Sequence, residues 1–273
     1  MSGPAAPGCA DGLDPRVPHP ARVYAYWLGG KDYYPADRQA AEEVMRLRPQ
    51  VVAGARANRQ FLARVVQFLA DTCGIRQILD IGTGLPAPDN THEVAQRVAP
   101  DCRVAYVDND PVVLAYARAL LTSTPPGACD YIDADLRDPG VILTQAAQTL
   151  DFTQPVAVLL LALLHFVPDD GGPAGIVKTL AGALAPGSYL AISHLTADFA
   201  PQEMTAAVDA YNCLAPVPVT PRTHAQVLAL FGSSPLLDPG VVPVTGWRPA
   251  SPLPRRQPAD MYAGVARIRR TAR

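Results

Sequence analysis

A glycine-rich turn after a short apolar segment is the first sign of chemistry in this sequence. Asp80-Ile81-Gly82-Thr83-Gly84 ends a stretch that has the apolar character of a buried strand. Glycine permits a sharp turn and lets a ligand approach the backbone closely. Gly82, Gly84 and Ala87 also match the spacing of the dinucleotide fingerprint. The turn therefore predicts a nucleotide-like ligand and does not by itself choose among such ligands.

Acidic side chains follow the next two predicted strands. Asp108, with Asn109 beside it, stands 26 residues after Gly82. A carboxylate there can accept hydrogen bonds from both hydroxyls of a ribose. Asp135, followed by Leu136, comes after the third strand, where an acid can accept a hydrogen bond from an adenine amino group. Ligands of such sheets bind at the carboxyl ends of the strands, so we expect these residues to surround one nucleoside.

Two prolines argue against a dinucleotide. Pro86 and Pro88 lie just after the glycine turn and remove two backbone N–H donors. A pyrophosphate site depends on such donors at the start of a helix. The sequence also lacks a convincing catalytic Tyr-x-x-x-Lys pair. An NAD-dependent oxidoreductase therefore stays an alternative, but a less favoured one.

His165 is the candidate catalytic residue, because it follows the fourth predicted strand in Leu163-Leu164-His165-Phe166. An unperturbed histidine pKa of about 6.5 suits a general base. The same residue can instead line a pocket or form a structural hydrogen bond at a strand end. No orienting carboxylate lies beside it in sequence, so we expect the site to act by positioning its substrates.

Strands and helices alternate from Arg76 onwards. This alternation predicts an α/β fold with a parallel sheet covered by helices on both faces. The predicted strands are Gln77–Ile81, Arg103–Val107, Cys129–Ile132, Val156–Leu161 and Ser188–Ser193, then a trailing pair, Val241–Thr245 and Met261–Ile268. The predicted helices are Thr91–Val98, Pro111–Leu121, Val141–Leu150, Gly175–Leu184, Gln202–Leu214 and His224–Phe231. The Pro-rich stretch 249–258 is expected to be a loop.

The N-terminal part divides into a tail and a helical segment. Residues 1–19 are rich in Pro and Gly without periodicity and predict a disordered tail. Residues 20–75 are mostly helical by pattern, with helices expected over 36–47 and 51–69. The division is therefore a tail at 1–19, a helical lid segment at 20–75 and a ligand-binding domain at 76–273.

Composition limits the partners. The chain has 273 residues, of which 18% are charged, and a formal net charge of −2. It carries no excess of positive charge for a phosphate backbone, so no nucleic-acid partner is expected. No apolar run is long enough to cross a membrane. The five scattered cysteines have no zinc or redox spacing, so no metal site is expected, and they favour reduced thiols and a cytoplasmic location.

The ordered set of glycine turn, ribose acid and adenine acid resembles class I methyltransferases that use S-adenosylmethionine. The resemblance runs from about Arg76 to the C-terminus. It implies a Rossmann-like parallel sheet with an antiparallel C-terminal strand. It further implies a cofactor pocket lined by Asp80, Gly82, Thr83, Gly84, Asp108, Asn109, Asp135 and Leu136. Pro86 stands where that family often has a third glycine.

A closer resemblance includes the N-terminus. The segments 20–24 (PARVY), 28–32 (LGGKD), 57–62 (ANRQFL), 82–86 (GTGLP), 90–94 (NTHEV) and 108–111 (DNDP) are similar to an actinomycete-type family of such enzymes whose acceptors are unassigned. Ala25 and Tyr33 depart from its usual Asp and Asn. We expect residues 20–34 to form a helix and a turn that close over the cofactor, with a hinge at Gly29 and Gly30 and with Tyr24 and Lys31 facing the ligand. Asn90 is either a further cofactor contact or an ordinary helix cap.

These expectations combine into one functional hypothesis. The chain transfers a methyl group from S-adenosylmethionine to a small-molecule acceptor. The first alternative is a regulator that binds S-adenosylmethionine without catalysis, because methyl transfer needs no dedicated catalytic side chain. The oxidoreductase is the second.

Overall fold

The computed structural model describes residues 14–120, 123–249 and 259–269. Its centre is a seven-stranded sheet with the strand order β3-β2-β1-β4-β5-β7-β6. The five strands β1 to β5 pair in parallel, and β7 runs antiparallel to β5 and β6. The predicted α/β fold with an antiparallel C-terminal strand is confirmed. The strands are β1 Gln77–Ile81, β2 Arg103–Asp108, β3 Ala128–Asp133, β4 Ala157–Leu161, β5 Tyr189–Leu195, β6 Val242–Pro243 and β7 Met261–Arg267.

Nine α-helices lie in the described residues. They are α1 Pro20–Leu28, α2 Pro35–Leu47, α3 Val51–Asp71, α4 Thr91–Val98, α5 Pro111–Leu120, α6 Pro139–Ala146, α7 Pro173–Gly182, α8 Pro201–Leu214 and α9 His224–Ala229. Two single 3₁₀ turns follow β4, at Leu164–Phe166 and Asp169–Gly171. All six helices that follow β1 begin at or next to a proline or a capping residue, as expected where the first N–H groups have no partner within the helix.

The apolar strands of the centre are explained by burial on both faces. In β1, Leu79 packs into the core on one side of the sheet and Ile78 into the core on the other. In β4, Val158 and Leu159 likewise pack into the two cores on opposite sides of the sheet. Successive side chains of a strand point to opposite faces, so a central strand covered on both faces needs apolar residues at consecutive positions.

Helix α3 covers the sheet, whereas α1 and α2 do not. Phe61 and Val65 of α3 are fully buried in the core beneath it. Val23 of α1 and Val44 of α2 instead pack with Tyr211 of α8 in a third, separate cluster. The lid segment predicted from sequence is therefore joined by α8, which the sequence assigned to the domain that follows.

A buried ion cluster connects α1 and α2 to the turn that follows β2. The Arg22 guanidinium donates from Nε to Asp37 Oδ2 and from Nη1 to Asp110 Oδ2, each at 2.9 Å. Asp37 also accepts hydrogen bonds from the backbone N–H groups of His19 and Tyr34. Arg22 is 3% exposed and its two carboxylate partners are less exposed still. Because Asp110 lies in the turn after β2, this cluster connects α1 and α2 to the edge of the sheet formed by the carboxyl ends of the strands.

A few boundaries differ from the prediction. Strand β6 has two residues, Val242–Pro243, where five were predicted, because the chain turns directly after it and the Gly246 N–H donates to the Pro243 carbonyl. Helix α6 ends at Ala146, four residues early. Residues 1–13 of the predicted tail and 250–258 of the predicted loop lie outside the described residues. Within the described chain, no helix combines the length and the apolar character needed to cross a membrane.

Candidate functional site

The glycine turn after β1 is bonded to the neighbouring strand. The N–H groups of Gly82 and Thr83 both donate to the carbonyl oxygen of Val107. Gly82 and Gly84 have φ values of 75° and 67°, a region that costs other residues free energy. A Cβ on Gly82 would lie 2.6 Å from Leu163 Cδ1, whereas a Cβ on Gly84 would meet no atom within 4 Å. The space beside Gly84 is therefore open, so that a bulky ligand can approach the backbone of the turn.

Asp108 ends β2 beside this turn and is held by two backbone donors. Its Oδ2 accepts the Gly84 N–H at 2.9 Å, and its Oδ1 accepts the Asp110 N–H at 3.0 Å. The residue is 8% exposed. Burial raises the pKa of Asp108, although the two N–H bonds oppose that shift. Each carboxylate oxygen has a second lone pair, so both can still accept a hydroxyl hydrogen from a ribose.

Asp80 is a buried carboxylate in the same region. It accepts a hydrogen bond of 2.6 Å from Thr91 Oγ1, and burial raises its pKa to about 6. The positive charge of Arg59 opposes this shift, and the negative charge of Asp108 adds to it. An upward shift of this size corresponds to roughly 3 kcal/mol against the ionised form. A carboxylate kept at such a cost is typical of a ligand site.

Asp135 lies at the end of the third strand in a different environment. Both of its oxygens accept hydrogen bonds from the Arg137 side chain, and Asn109 Nδ2 donates to it at 3.3 Å. The Arg137 bonds lower the pKa of Asp135 to about 2. Leu136 is buried beside it. The site thus offers a permanently charged acid next to an apolar surface, which suits the edge and the face of a purine.

One cavity of about 390 Å³ brings these residues together. Its cofactor end, defined here by the residues nearest the glycine turn, is lined by Asp80, Gly82, Thr83, Gly84, Val107, Asp108, Asn109, Ala134, Asp135, Leu136 and Arg137. Its other end, called here the apolar chamber, is lined by Trp27, Val44, Arg48, Val51, His165, Phe166, Leu195, Met204, Ala207, Val208, Tyr211, Pro216, Val217, Pro218, Val219, Asp260 and Met261. The volume falls within the range of small-molecule pockets.

Two of the residues predicted to bind the cofactor lie outside this cavity. Lys31 is exposed and is not part of the lining. Gly29, at φ 87°, ends α1, and Gly30 donates back to the Ala25 carbonyl, so the chain leaves the cavity before Lys31. Asn90 precedes α4, where its Oδ1 accepts the Ala87 N–H and its own N–H donates to Glu93. The geometry supports the cap interpretation of Asn90 and gives Lys31 no contact with the cavity.

Tyr24 does line the cavity, and its hydroxyl is already engaged. It donates to the Ala55 carbonyl at 2.9 Å and accepts from Asn58 Nδ2 at 3.1 Å. Asn58 in turn accepts a 2.6 Å bond from Ser193 Oγ, which also accepts the Ala162 N–H. Burial raises the pKa of Tyr24 to about 12. Tyr24 therefore fixes α1 to α3 and β5 and presents its ring to the cavity.

His165 reaches the cavity from the 3₁₀ turn after β4. Its Nδ1 is buried without a hydrogen-bond partner among the described residues. Burial, with His194 and Arg222 nearby, holds the pKa of His165 well below its ordinary value. Arg222 donates to the Leu164 carbonyl and to His194 Nε2, and it thereby holds the turn that carries His165. A neutral imidazole that resists protonation is a poor general base and a good hydrogen-bonding group.

Sequence patterns missed several residues of the cavity. Arg59 of α3 lines it next to Asp80, and its Nη2 donates to the carbonyls of Pro88 and Asp89. Met204, Val208 and Tyr211 of α8 also line it. The only available signal for Arg59 was its place in the 57–62 motif. The sequence predicted α8, over Gln202–Leu214, but did not indicate that it lines the cavity, because a helix contacts its tertiary partners only after folding.

A metal centre was not expected, and the described residues contain no cluster of three or more His, Cys, Asp or Glu side chains arranged to hold a metal ion.

Comparison with known proteins agrees with this geometry. The model of a family described as S-adenosyl methyltransferase matches residues 8–269. The crystal structure of a DUF574 family protein from Streptomyces avermitilis is 46% identical, with 93% of this chain and 98% of that chain covered and a TM-score of 0.89. The structure of a candidate methyltransferase from Thermobifida fusca is 39% identical, with 95% and 98% covered and a TM-score of 0.88. No curated protein matches the sequence significantly.

A more distant structure shares the fold alone. Human N-acetylserotonin methyltransferase, solved with S-adenosylmethionine, is 15% identical, with 85% of this chain and 57% of that chain covered and a TM-score of 0.50. The family match spans nearly the whole chain, and the glycine turn with its three acids fits the cofactor. This chain therefore belongs to the S-adenosyl methyltransferase family and is an S-adenosylmethionine-dependent methyltransferase.

Proposed function

We propose that this enzyme methylates a small molecule that binds in the apolar chamber. The observation that carries the proposal is that a single cavity is lined both by the residues of the cofactor end and by those of the chamber. Residues of α1, α2, α3 and α8 cover the chamber, so its size is limited to small acceptors. Family membership supports neither the regulator nor the oxidoreductase alternative.

Each part of the cofactor has a complementary group in this proposal. Asp108 accepts from the ribose hydroxyls, and Asp135, Asn109 and Leu136 bind the adenine. The amino-acid part is a zwitterion, and the cofactor end offers opposite charges for it. Asp80 lies near enough to Arg59 for their charges to interact, although no ion pair joins them. We assign the ammonium to Asp80 and the carboxylate to Arg59.

The protein accelerates the reaction by positioning. When bound, S-adenosylmethionine would supply an electrophilic methyl group to the acceptor atom, and S-adenosylhomocysteine would be the leaving group. The protein's task is to align the acceptor with that methyl group, which can lower a barrier by about 7–11 kcal/mol. His165 contacts the acceptor without taking its proton, because its burial disfavours the imidazolium. The cytoplasm is the proposed location, since the four described cysteines are free thiols.

Filling the chamber tests this proposal. Val208→Trp should leave the affinity for S-adenosylmethionine within about twofold and reduce turnover at least about tenfold, because the larger ring occupies the acceptor's space and leaves the cofactor end intact. Calorimetry measures the affinity, and formation of S-adenosylhomocysteine with an acceptor found by screening measures turnover. Gln202→Trp is the matched control, since Gln202 is exposed on the same helix and does not line the cavity. Full turnover in a folded Val208→Trp enzyme would contradict the proposal.

The role of Arg59 has its own test. The wild-type enzyme should bind S-adenosylmethionine about 10- to 100-fold more tightly than the decarboxylated cofactor, which lacks the group that Arg59 binds. Arg59→Met should abolish most of this preference. The ratio of the two affinities is decisive, because loss of the bonds to Pro88 and Asp89 weakens both cofactors alike.

Arg56→Met is the control for that experiment. Arg56 is exposed on the same helix and lies outside the lining, so its loss should leave the preference unchanged. An undiminished preference in Arg59→Met would assign the carboxylate to another group.

A further inference from the structure

Two side chains that line the apolar chamber carry polar groups without hydrogen bonds to the protein. His165 Nδ1 and the Tyr211 hydroxyl are buried without hydrogen-bond partners among the described residues. His165 is 7% exposed and Tyr211 is 4% exposed, and both residues line the chamber. Buried polar groups are nearly always paired in folded proteins. Because two such groups lie on one cavity, a bound ligand is expected to supply their missing hydrogen bonds.

The charges of the chamber, by contrast, are already paired. Arg48 makes two hydrogen bonds of 2.9 Å to the carboxylate of Asp260, and Glu203 lies 3.7 Å from its other terminal nitrogen. Arg48 and Asp260 are 5% and 3% exposed. A charged ligand entering here would lose its hydration and find its counter-charge occupied, which is unfavourable.

Both unpaired groups are neutral at physiological pH. Burial holds the pKa of His165 well below its ordinary value and raises the pKa of Tyr211. A neutral imidazole and a phenol each donate one hydrogen bond and accept others. They therefore complement a hydroxyl or a similar neutral group, and neither supplies a counter-charge.

The remaining surface is apolar and partly aromatic. Trp27 contributes an indole whose N–H already donates to the Ala41 carbonyl. Phe166, Val44, Met204 and Val219 add side chains without polar groups. Such walls favour a flat or aliphatic carbon skeleton, because contact with them removes apolar surface from water.

We infer that the acceptor binds as a neutral, largely apolar molecule, and that its hydroxyl group hydrogen-bonds to His165 and Tyr211. This inference rests on the proposed small-molecule function and narrows the class of acceptor. Acids that are ionised at neutral pH and protonated amines are excluded from the chamber.

Four probes with one carbon skeleton test the inference. They are 2-naphthol, naphthalene, 2-naphthoate and 2-naphthylmethylammonium, offered by equilibrium dialysis at pH 7.5 to the full chain saturated with S-adenosylhomocysteine. A phenol remains neutral at this pH because its pKa is near 10. We expect naphthol to bind at least about tenfold more tightly than either charged probe and about fivefold more tightly than naphthalene.

Replacing the two polar groups should remove the preference for naphthol over naphthalene and leave the preference for naphthol over the charged probes. In His165→Phe/Tyr211→Phe, naphthol and naphthalene should bind within about twofold of each other, with naphthalene affinity retained. The variant should fold, because His165 Nδ1 and the Tyr211 hydroxyl make no hydrogen bond to the described part of the protein and phenylalanine retains a ring at both positions. A persistent preference for naphthol in this variant would overturn the assignment of the two anchors.

The remaining outcomes are also decisive. Naphthoate or the ammonium binding as tightly as naphthol would overturn the neutral class. Binding of none of the probes would contradict a neutral ring acceptor and leave the cofactor site intact, provided that S-adenosylhomocysteine binds. Failure of S-adenosylhomocysteine itself to bind would instead count against the proposed cofactor site.

Discussion

Asp108→Ala should weaken the binding of S-adenosylmethionine by about a hundredfold. Two hydroxyl bonds to the carboxylate are lost, and each charge-assisted bond contributes about 1.5–3 kcal/mol. A loss of 1.4 kcal/mol is about tenfold in affinity, so even the lower value for both bonds gives the expected effect. The change also frees the N–H groups of Gly84 and Asp110, which loosens the turn. Calorimetry measures the affinity, and circular dichroism verifies the fold.

Asp133→Ala provides the control. Asp133 pairs directly with Asp108 in the sheet register, but it is exposed and does not line the cavity. Its loss should leave the affinity unchanged. Unaltered cofactor binding in a folded Asp108→Ala protein would remove Asp108 from the ribose site.

The same carboxylate predicts a dependence on pH. Burial raises the pKa of Asp108, so its proton is taken up at a higher pH than that of a surface aspartate. The ionised form is the stronger acceptor of hydroxyl bonds. Cofactor affinity should therefore fall on acidification before ordinary aspartates titrate, and Asp108→Asn should lack this component.

Arg22→Met should lower the free energy of unfolding by about 3–5 kcal/mol, because it leaves the buried carboxylates of Asp37 and Asp110 without their shared counter-charge. A typical domain is stable by only about 5–15 kcal/mol, so this is a large fraction of the total. Burial opposes the charge of Asp110, yet its bonds to His19 and to the Val112 N–H, with the charge of Arg22, keep its pKa below the ordinary value. Urea denaturation measures the effect.

Arg38→Met is the matched comparison. Arg38 bonds Glu42 at 2.8 Å, but both side chains are about half exposed. Exposed pairs contribute about 0–1 kcal/mol, so this variant should be nearly as stable as the wild type. Similar losses in the two variants would show that the buried cluster does not hold the lid helices.

The cluster also bears on function. Asp110 accepts from Arg22 and donates its own N–H to Asp108. One chain of contacts thus runs from the lid helix α1 to the proposed ribose site. Loss of Arg22 should therefore weaken cofactor binding in addition to stability, and the urea experiment repeated with saturating S-adenosylmethionine should show less stabilisation by the ligand than in the wild type.

The cofactor end could be predicted from sequence because its residues are local to strand ends. Asp80, Gly82, Asp108 and Asp135 each end or follow an apolar segment, and the rules of parallel sheets place such ends on one edge. Strands β1 and β4 could be recognised as continuous apolar runs, because both are buried on both faces of the sheet. The predicted boundary was wrong where a local turn ended a strand, as the turn after Pro243 does in β6.

By itself, the sequence determined the fold class, the order of the strands along the chain and the edge of the sheet at which the proposed cofactor residues lie, because short-range apolar patterns and turn chemistry encode all three. Only the tertiary structure revealed which residues line the apolar chamber, that Lys31 lies outside the cavity, and that Arg59 approaches Asp80. Those features depend on contacts between residues far apart in the chain, such as Val44 with Tyr211 and Arg48 with Asp260. No local pattern specifies such pairs, because burial and charge pairing are properties of the packed whole.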